Sequence, residues 1–261
     1  MRVAYLALAA ALLAPLPAQA ADAHQALAPS RQRLQTADYR ASGHLVRVDA
    51  SGARSNYPVT IKAHWFPGVL RVQLELANAP RTVPDSLARA RILTHILLEM
   101  RPGGKNAILI AQPGDKEALP LPFDKWSDGL MGTAFSYEDF LEAQYFWPLQ
   151  TGLDGAKVDG RDCDVVKSAP GPSDKSHYAA VTSWLDRGIG YPVRVEKTLN
   201  DGRVKQFTYF GLRQNGGVWS AHQVEARVRG QAGSSLLIID RGTPRANLSL
   251  KDFSPAQLTH F

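Results

Sequence analysis

Two groups of carboxylates hold the side chains that general acid–base work or a hard cation would need: adjacent Glu138 and Asp139, and the close set Asp159, Asp162 and Asp164. Each group has a plainer reading. Ser136-Tyr137-Glu138-Asp139 has the pattern of a capping box, so its acids fall in a first helical turn where the dipole favours negative charge. Asp162 and Asp164 flank Cys163 with the spacing of outward positions on a strand. Acidic side chains are mostly exposed, and both groups are expected at the surface.

Nucleophilic and metal chemistry find less support. The chain has no Gly-x-Ser-x-Gly elbow and no Ser-x-x-Lys pair. None of its seven histidines is followed by glutamate, as a His-Glu-x-x-His zinc motif requires. Cys163 is the only cysteine, so a cysteine metal cluster and an internal disulfide are both excluded. With acidic or apolar neighbours and no histidine near it, Cys163 reads as a small buried hydrophobe. The five tryptophans, with Phe146-Trp147-Pro148, could stack on a sugar, but they fit core or the lip of a cavity better. No catalytic set, metal or cofactor is expected.

The elements that would position any site begin after a leader. Arg2, the apolar run Val3 to Leu13 and the small residues of Ala18-Gln19-Ala20 have the grammar of a secretory signal peptide cleaved after Ala20. The run is too short to span a bilayer and is broken by Pro15 and Pro17. A lipoprotein leader would need a cysteine at the cleavage site, so no lipidation is expected. Residues 21–261 lack a linker rich in serine, glycine or charge, which leaves a single domain as the expectation. The 30 basic and 24 acidic residues are spread along the chain, which argues against nucleic acid as a partner.

From Tyr39 onward the dominant period is two, the mark of strands with one buried face. Tyr57, Val59, Ile61, Ala63 and Trp65 alternate with Pro58, Thr60, Lys62 and His64. After Pro67-Gly68, Leu70, Val72, Leu74 and Leu76 alternate with Arg71, Gln73 and Glu75, which predicts a hairpin. Ile92, Ile96, Leu98 and Met100 line a further strand, Arg101-Pro102-Gly103-Gly104 turns the chain, and Ala107 to Ala111 returns. In the C-terminal half Tyr191, Val193 and Val195 oppose Arg194, Glu196 and Thr198, and Asn200-Asp201-Gly202 leads into a strand from Lys205. Roughly nine to eleven antiparallel strands are expected. Helices are few: Ala23 to Gln35, interrupted by Pro29; a short one after Ser136 through Ala143; and one opened by Ser254-Pro255. Such a sheet must cover its apolar face by closing into a barrel, by folding into a sandwich, or by curving beneath a lid of helices.

The run Asp128-Gly129-Leu130-Met131-Gly132-Thr133-Ala134-Phe135-Ser136-Tyr137-Glu138-Asp139-Phe140 resembles the G-T-D-F-S-Y-E-D-L signature of the outer-membrane lipoprotein-sorting family, the LolA-like proteins. Ala134 stands where that motif has an acidic residue. Gly160-Arg161-Asp162-Cys163, Trp184-Leu185-Asp186-Arg187, Tyr191-Pro192-Val193-Arg194-Val195-Glu196 and Gly217-Val218-Trp219 follow in the family's order, so the resemblance runs from Leu70 to Leu258. It implies a mostly β fold: a curved antiparallel sheet forming an incomplete β-barrel, with a few short helices lidding its concave face.

The resemblance also implies a periplasmic carrier or chaperone for lipid acyl chains or lipoproteins, with an inner-membrane transporter or an outer-membrane acceptor as partner. Physics suits that use. At about 0.8 kcal/mol per methylene, a chain of roughly 16 carbons left in water forfeits on the order of 11 kcal/mol. Expected lining residues are Ile61, Trp65, Leu70, Val72, Leu74, Ile96, Leu98, Met100, Val193 and Val195, each of which would serve equally as ordinary core. A carrier predicts an internal apolar cavity. An accessory protein of an envelope transporter, docking through Tyr145-Phe146-Trp147, predicts a filled core and an exposed patch. An envelope hydrolase predicts convergent polar groups in a cleft.

Overall fold

A computed structural model of the protein describes residues 22–77 and 92–261. The expected signal peptide lies outside the described residues, and so does the side chain of Ile92.

The chain opens with helix α1, Ala23–Gln35, at the bounds expected. The Asp22 carboxylate accepts from the backbone N–H of His24 at 2.8 Å and of Gln25 at 3.3 Å, satisfying donors at the helix start. Pro29 sits inside α1 without ending it, and Leu27, Ser30 and Leu34 form its buried stripe. Thr36 closes the helix, and β1 (Asp38–Val48) begins two residues later.

Strands β2 (Arg54–Phe66), β3 (Val69–Ala77), β4 (Ile92–Met100), β5 (Ala107–Ala111) and β6 (Leu119–Pro120) follow as a meander. After a stretch of short 3-10 turns the chain returns through β7 (Leu149–Val158), β8 (Arg161–Ala169), β9 (Tyr178–Asp186), β10 (Pro192–Leu199) and β11 (Val204–Phe210). A small hairpin of β12 (Arg213–Asn215) and β13 (Val218–Ser220) precedes β14 (Gln223–Val228) and β15 (Ser234–Pro244). One 13-stranded sheet holds all but that hairpin, in the order β6-β5-β4-β3-β2-β1-β15-β14-β11-β10-β9-β8-β7. Its neighbours are antiparallel, and β6 and β7 remain as edges, so the barrel is incomplete. The strand count exceeds the expected range in part because β6, β12 and β13 have only two or three residues each, too few to show an alternation.

The last strand, β15, pairs with β1, which joins the ends of the described chain in mid-sheet. The register shifts there between Ser42 and Gly43, and a Cβ at Gly43 would stand 1.9 Å from the Ile238 carbonyl oxygen. Only glycine permits that approach. Strand β4 is buried on both faces. One face joins the main core, while Leu97 packs with Ala111, Leu248, Phe253 and Leu258 under the C-terminal tail, including the expected helical turn Pro255–Leu258. His95 Nδ1 meets the Leu258 carbonyl at 2.8 Å beside it.

Candidate functional site

The expected acyl-facing residues on β2, β3 and β4 form a lattice on one face of the sheet. Ile61 pairs with Leu74 and Leu74 with Ile96; Ala63 pairs with Val72 and Val72 with Leu98; Trp65 pairs with Leu70 and Leu70 with Met100. Directly opposed apolar side chains of this kind make a continuous wall. Ile61, Leu70, Val72, Leu74, Ile96, Leu98 and Met100 are buried in the main core, and half-buried Trp65 packs at its margin. Val195 belongs to the same core from β10, with β1, β15, β14 and β11 between it and β2. Val193 is buried on β10 but lies outside that cluster.

Residues 121–147 cross over this wall as a lid. They form four single-turn 3-10 helices, Phe123–Lys125, Leu130–Gly132, Tyr137–Leu141 and Ala143–Tyr145. The helix expected through Ala143 is thus broken, because Glu142 takes a left-handed φ of 47°. Trp126, Leu130, Phe135, Leu141, Tyr145 and Trp147 are buried beneath the lid's surface. Phe146 stacks on Trp65 with ring centroids 5.8 Å apart, and Phe135 meets Phe207 edge-on at 5.7 Å. Lid and wall side chains form one packed cluster.

A charged clasp holds the lid to the other half of the sheet. Asp139 accepts from the Ser136 backbone N–H at 2.8 Å and the Ser136 hydroxyl at 2.9 Å, which closes the expected capping box. It also accepts from Lys197 Nζ at 3.0 Å, Lys205 Nζ at 3.1 Å and the Tyr178 hydroxyl at 2.6 Å. Burial pushes the Asp139 carboxyl upward, but Lys197, Lys205, the Ser136 N–H and Tyr178 outweigh it and hold it well below the usual carboxylate range. Burial, then Asp139, pushes the Tyr178 hydroxyl well above the usual phenol range. Neighbouring Glu138 accepts from the Ser176 hydroxyl and the His177 backbone N–H, and its Oε2 lies 3.1 Å from His177 Nδ1.

The lid's polar contacts lie to either side of the wall and not on it. Besides the clasp, Arg33 of α1 pairs with Glu142 at 2.8 Å, Arg31 donates to the Tyr145 carbonyl at 2.7 Å, and the Ala134 N–H donates to Ser235 Oγ at 2.8 Å. Leu121 N–H donates to the Ile108 carbonyl of β5 where the lid begins. Among the described residues, no lid hydrogen bond reaches β2, β3 or β4, so over the aliphatic wall the lid is held by apolar contact alone.

This architecture recurs in solved structures. A Vibrio parahaemolyticus domain described as an outer membrane lipoprotein-sorting protein is 21% identical with a TM-score of 0.76, covering 92% of this chain and 100% of its own. A DUF1329 family protein from Desulfovibrio piger is 13% identical with a TM-score of 0.75, over 90% and 98%. A LolA superfamily protein from Nitrosomonas europaea is 16% identical with a TM-score of 0.65, over 92% and 100%. No curated protein matches the sequence. A family model described as "Uncharacterized protein" matches residues 105–260. The chain belongs to this family, and its fold is LolA-like.

In this LolA-like structure the space between wall and lid is taken up by the lid's own aromatic and aliphatic side chains, not left as the hollow that sequence reasoning expected. Two cavities of about 570 and 430 Å³ open elsewhere, and none of the expected acyl-facing residues lines either. The placement of Glu138 and Asp139 is also a correction. Both are buried, because the 3-10 turn carrying them lies against β9, β10 and β11 instead of facing water. Sequence reasoning missed Lys197 and Lys205, though a signal was present: Lys197 shares the inward phase of Val193, Val195 and Leu199, and Lys205 that of Phe207.

The other candidates are placed plainly. Asp162 is exposed, Asp164 pairs with Arg187 at 2.6 Å, and Asp159 occupies a turn with φ of 48°. They do not converge, and no group of acidic, histidine or cysteine side chains suited to a metal occurs among the described residues. Cys163 is buried on β8. Tyr145 and Trp147 are buried and Phe146 half-buried, so the docking patch expected of an accessory protein is instead part of the lid's underside. No described helix is long and apolar enough to cross a membrane.

Proposed function

We propose that this protein is a periplasmic carrier or chaperone that holds lipid acyl chains, free or attached to lipoproteins, against the β2–β3–β4 wall after the lid lifts. The observation that carries the reading is how the lid is held: apolar contact alone over the wall, with polar anchors only beyond it, to β5 where the lid begins and to β9–β11, β15 and α1. Lifting the lid from the wall breaks no hydrogen bond to it, and an incoming acyl chain restores the apolar contact that was lost. The exchange is close to neutral, which suits a carrier that must also release its cargo. Single-turn 3-10 helices with left-handed breaks at Met131 and Glu142 give the lid little internal hydrogen bonding to disrupt.

In this reading residues 21–261 act as one unit, no catalysis is performed, and the partners are an inner-membrane transporter or an outer-membrane acceptor. The LolA-like fold supports the choice over an envelope hydrolase, as does the scatter of Asp159, Asp162 and Asp164. Native mass spectrometry of protein released gently from its envelope, together with uptake of a fluorescent fatty acid, tests it. Copurifying lipid or saturable uptake supports carriage. Failure of both overturns it.

A further inference from the structure

At one margin of the lid lies positive charge that the clasp only partly uses. The cavity of about 430 Å³ opens where β1, β11, β14 and β15 meet residues 127–134 of the lid. Arg47, Arg203, Lys205 and Arg227 line it, and Asp49 is its one carboxylate. Asp49 is already engaged, accepting from the Ser51 N–H at 2.9 Å, the Ser51 hydroxyl at 2.7 Å and the Ala53 N–H at 3.0 Å. Arg203 and Arg227 touch Asp201 and Glu225 at 2.7 and 2.8 Å, but neither acid lines the cavity and both pairs are exposed to water at the arginine. Pairs of that kind hold weakly.

Lys205 connects the cavity to the interior. Its Nζ shares the single Asp139 carboxylate with Lys197, so two lysines face one acid in a buried cluster, with one positive charge in excess. Ala134 also lines the cavity, at the position where the resembling motif has an acidic residue. An acid there would offset the excess from within the chain. Alanine leaves it open.

We propose that this cavity binds a phosphate-type anion, either free phosphate or the headgroup of a phospholipid. The volume lies in the range of about 300–1,000 Å³ usual for small-ligand sites. Arg47, exposed near the end of β1, offers a planar fork matched to phosphate oxygens, and Lys205 approaches from the buried side. The proposal stands apart from acyl carriage, because its ligand needs no hydrocarbon.

Calorimetric titration of the mature protein at low ionic strength, with inorganic phosphate and separately with dihexanoyl phosphatidate, tests the assignment. Both are expected to bind, to weaken with added salt, and to lose roughly tenfold or more in affinity in Arg47→Gln and in Ala134→Asp. Tighter binding of the phosphatidate supports the site as a headgroup pocket, and equal binding supports it as a free-anion site. No binding of either, or wild-type affinity in both folded variants, overturns the proposal. If Ala134→Asp does not fold, Arg47→Gln and Arg227→Gln, both at exposed positions, decide it. Fatty-acid uptake measured on the same samples separates loss of this site from loss of carriage.

Discussion

Asp139 and Lys197 meet at 3.0 Å in the interior, with side chains 3% and 5% exposed, although 58 residues separate them in sequence. The pair ties the lid to β10, and Lys205 completes it from β11 at 3.1 Å. Charges this deep need a partner, and here both lysines depend on the one carboxylate.

Removing the carboxylate should therefore cost far more than removing one lysine. Asp139→Ala leaves two buried lysines unmatched and is expected to destabilise the fold by about 3–5 kcal/mol. Lys205→Met leaves one lysine with one carboxylate and is expected to cost about 1–2 kcal/mol, mainly for lost hydrogen bonds. Urea unfolding of both variants measures the difference, and equal losses would refute the matched-charge account.

The same carboxyl sets an acid dependence. Its folded pKa is depressed, so the stabilisation is fully present above the unfolded value of about 3.9 and is lost as pH falls from there through the folded value. Wild-type stability should fall steeply below about pH 4, and Asp139→Asn should flatten that fall while lowering stability at neutral pH. Unfolding curves collected across the acid range check the slope. A variant as acid-sensitive as wild type would place the dependence elsewhere.

The lattice of β2 and β3 was legible in sequence because each strand has one wet and one dry face, so Ile61 and Leu74 could be assigned to the same side before either was placed. The clasp was not, for the opposite reason. Alternation sorts residues by polarity, and Lys197 is a polar residue in the dry phase, matched by an acid from a distant segment that local pattern cannot supply. The double burial of β4 was hidden likewise, since Leu97 is covered by Phe253 and Leu258 from the far end of the chain. Helix α1 lies at its expected bounds, while its Asp22 cap and buried Leu27–Leu34 stripe emerge from the structure.

Phe146 stacked on half-buried Trp65 is one of the lid's apolar holds on the wall. Phe146→Ala removes a half-buried ring and should weaken the closed lid by about 1–2 kcal/mol. If uptake requires the lid to lift, association of a fluorescent fatty acid should accelerate roughly tenfold in stopped flow. Unchanged uptake by a folded variant would show that the lid does not gate entry at this edge.

Gly43 tests the seam between β1 and β15. A Cβ there meets the Ile238 carbonyl oxygen at 1.9 Å, backbone against backbone, where no rotamer change relieves the clash. Gly43→Ala is expected to cost about 1–3 kcal/mol or more, as overpacking does, and to lower the thermal midpoint. An unaltered midpoint would mean that the bulge can shift without penalty.

Cys163 offers a probe that leaves the fold untouched. Its side chain lies on β8 opposite Ala156 of β7 and Asp186 of β9, and the residue is 1% exposed. Burial pushes its thiol up, and the Asp186 carboxylate pushes it further, so little thiolate forms near neutral pH. The sulfur also donates weakly to the Arg161 carbonyl at 3.5 Å. Access and ionisation therefore act together, and reaction with an aromatic disulfide reagent at pH 8 should be at least roughly 100-fold slower in the native protein than in urea. Because β8 is paired on both sides, the native rate should follow the population of opened sheet, rising in Asp139→Ala in proportion to its lost stability. Fast labelling of the wild-type native protein would instead require β7 to leave the sheet edge on its own.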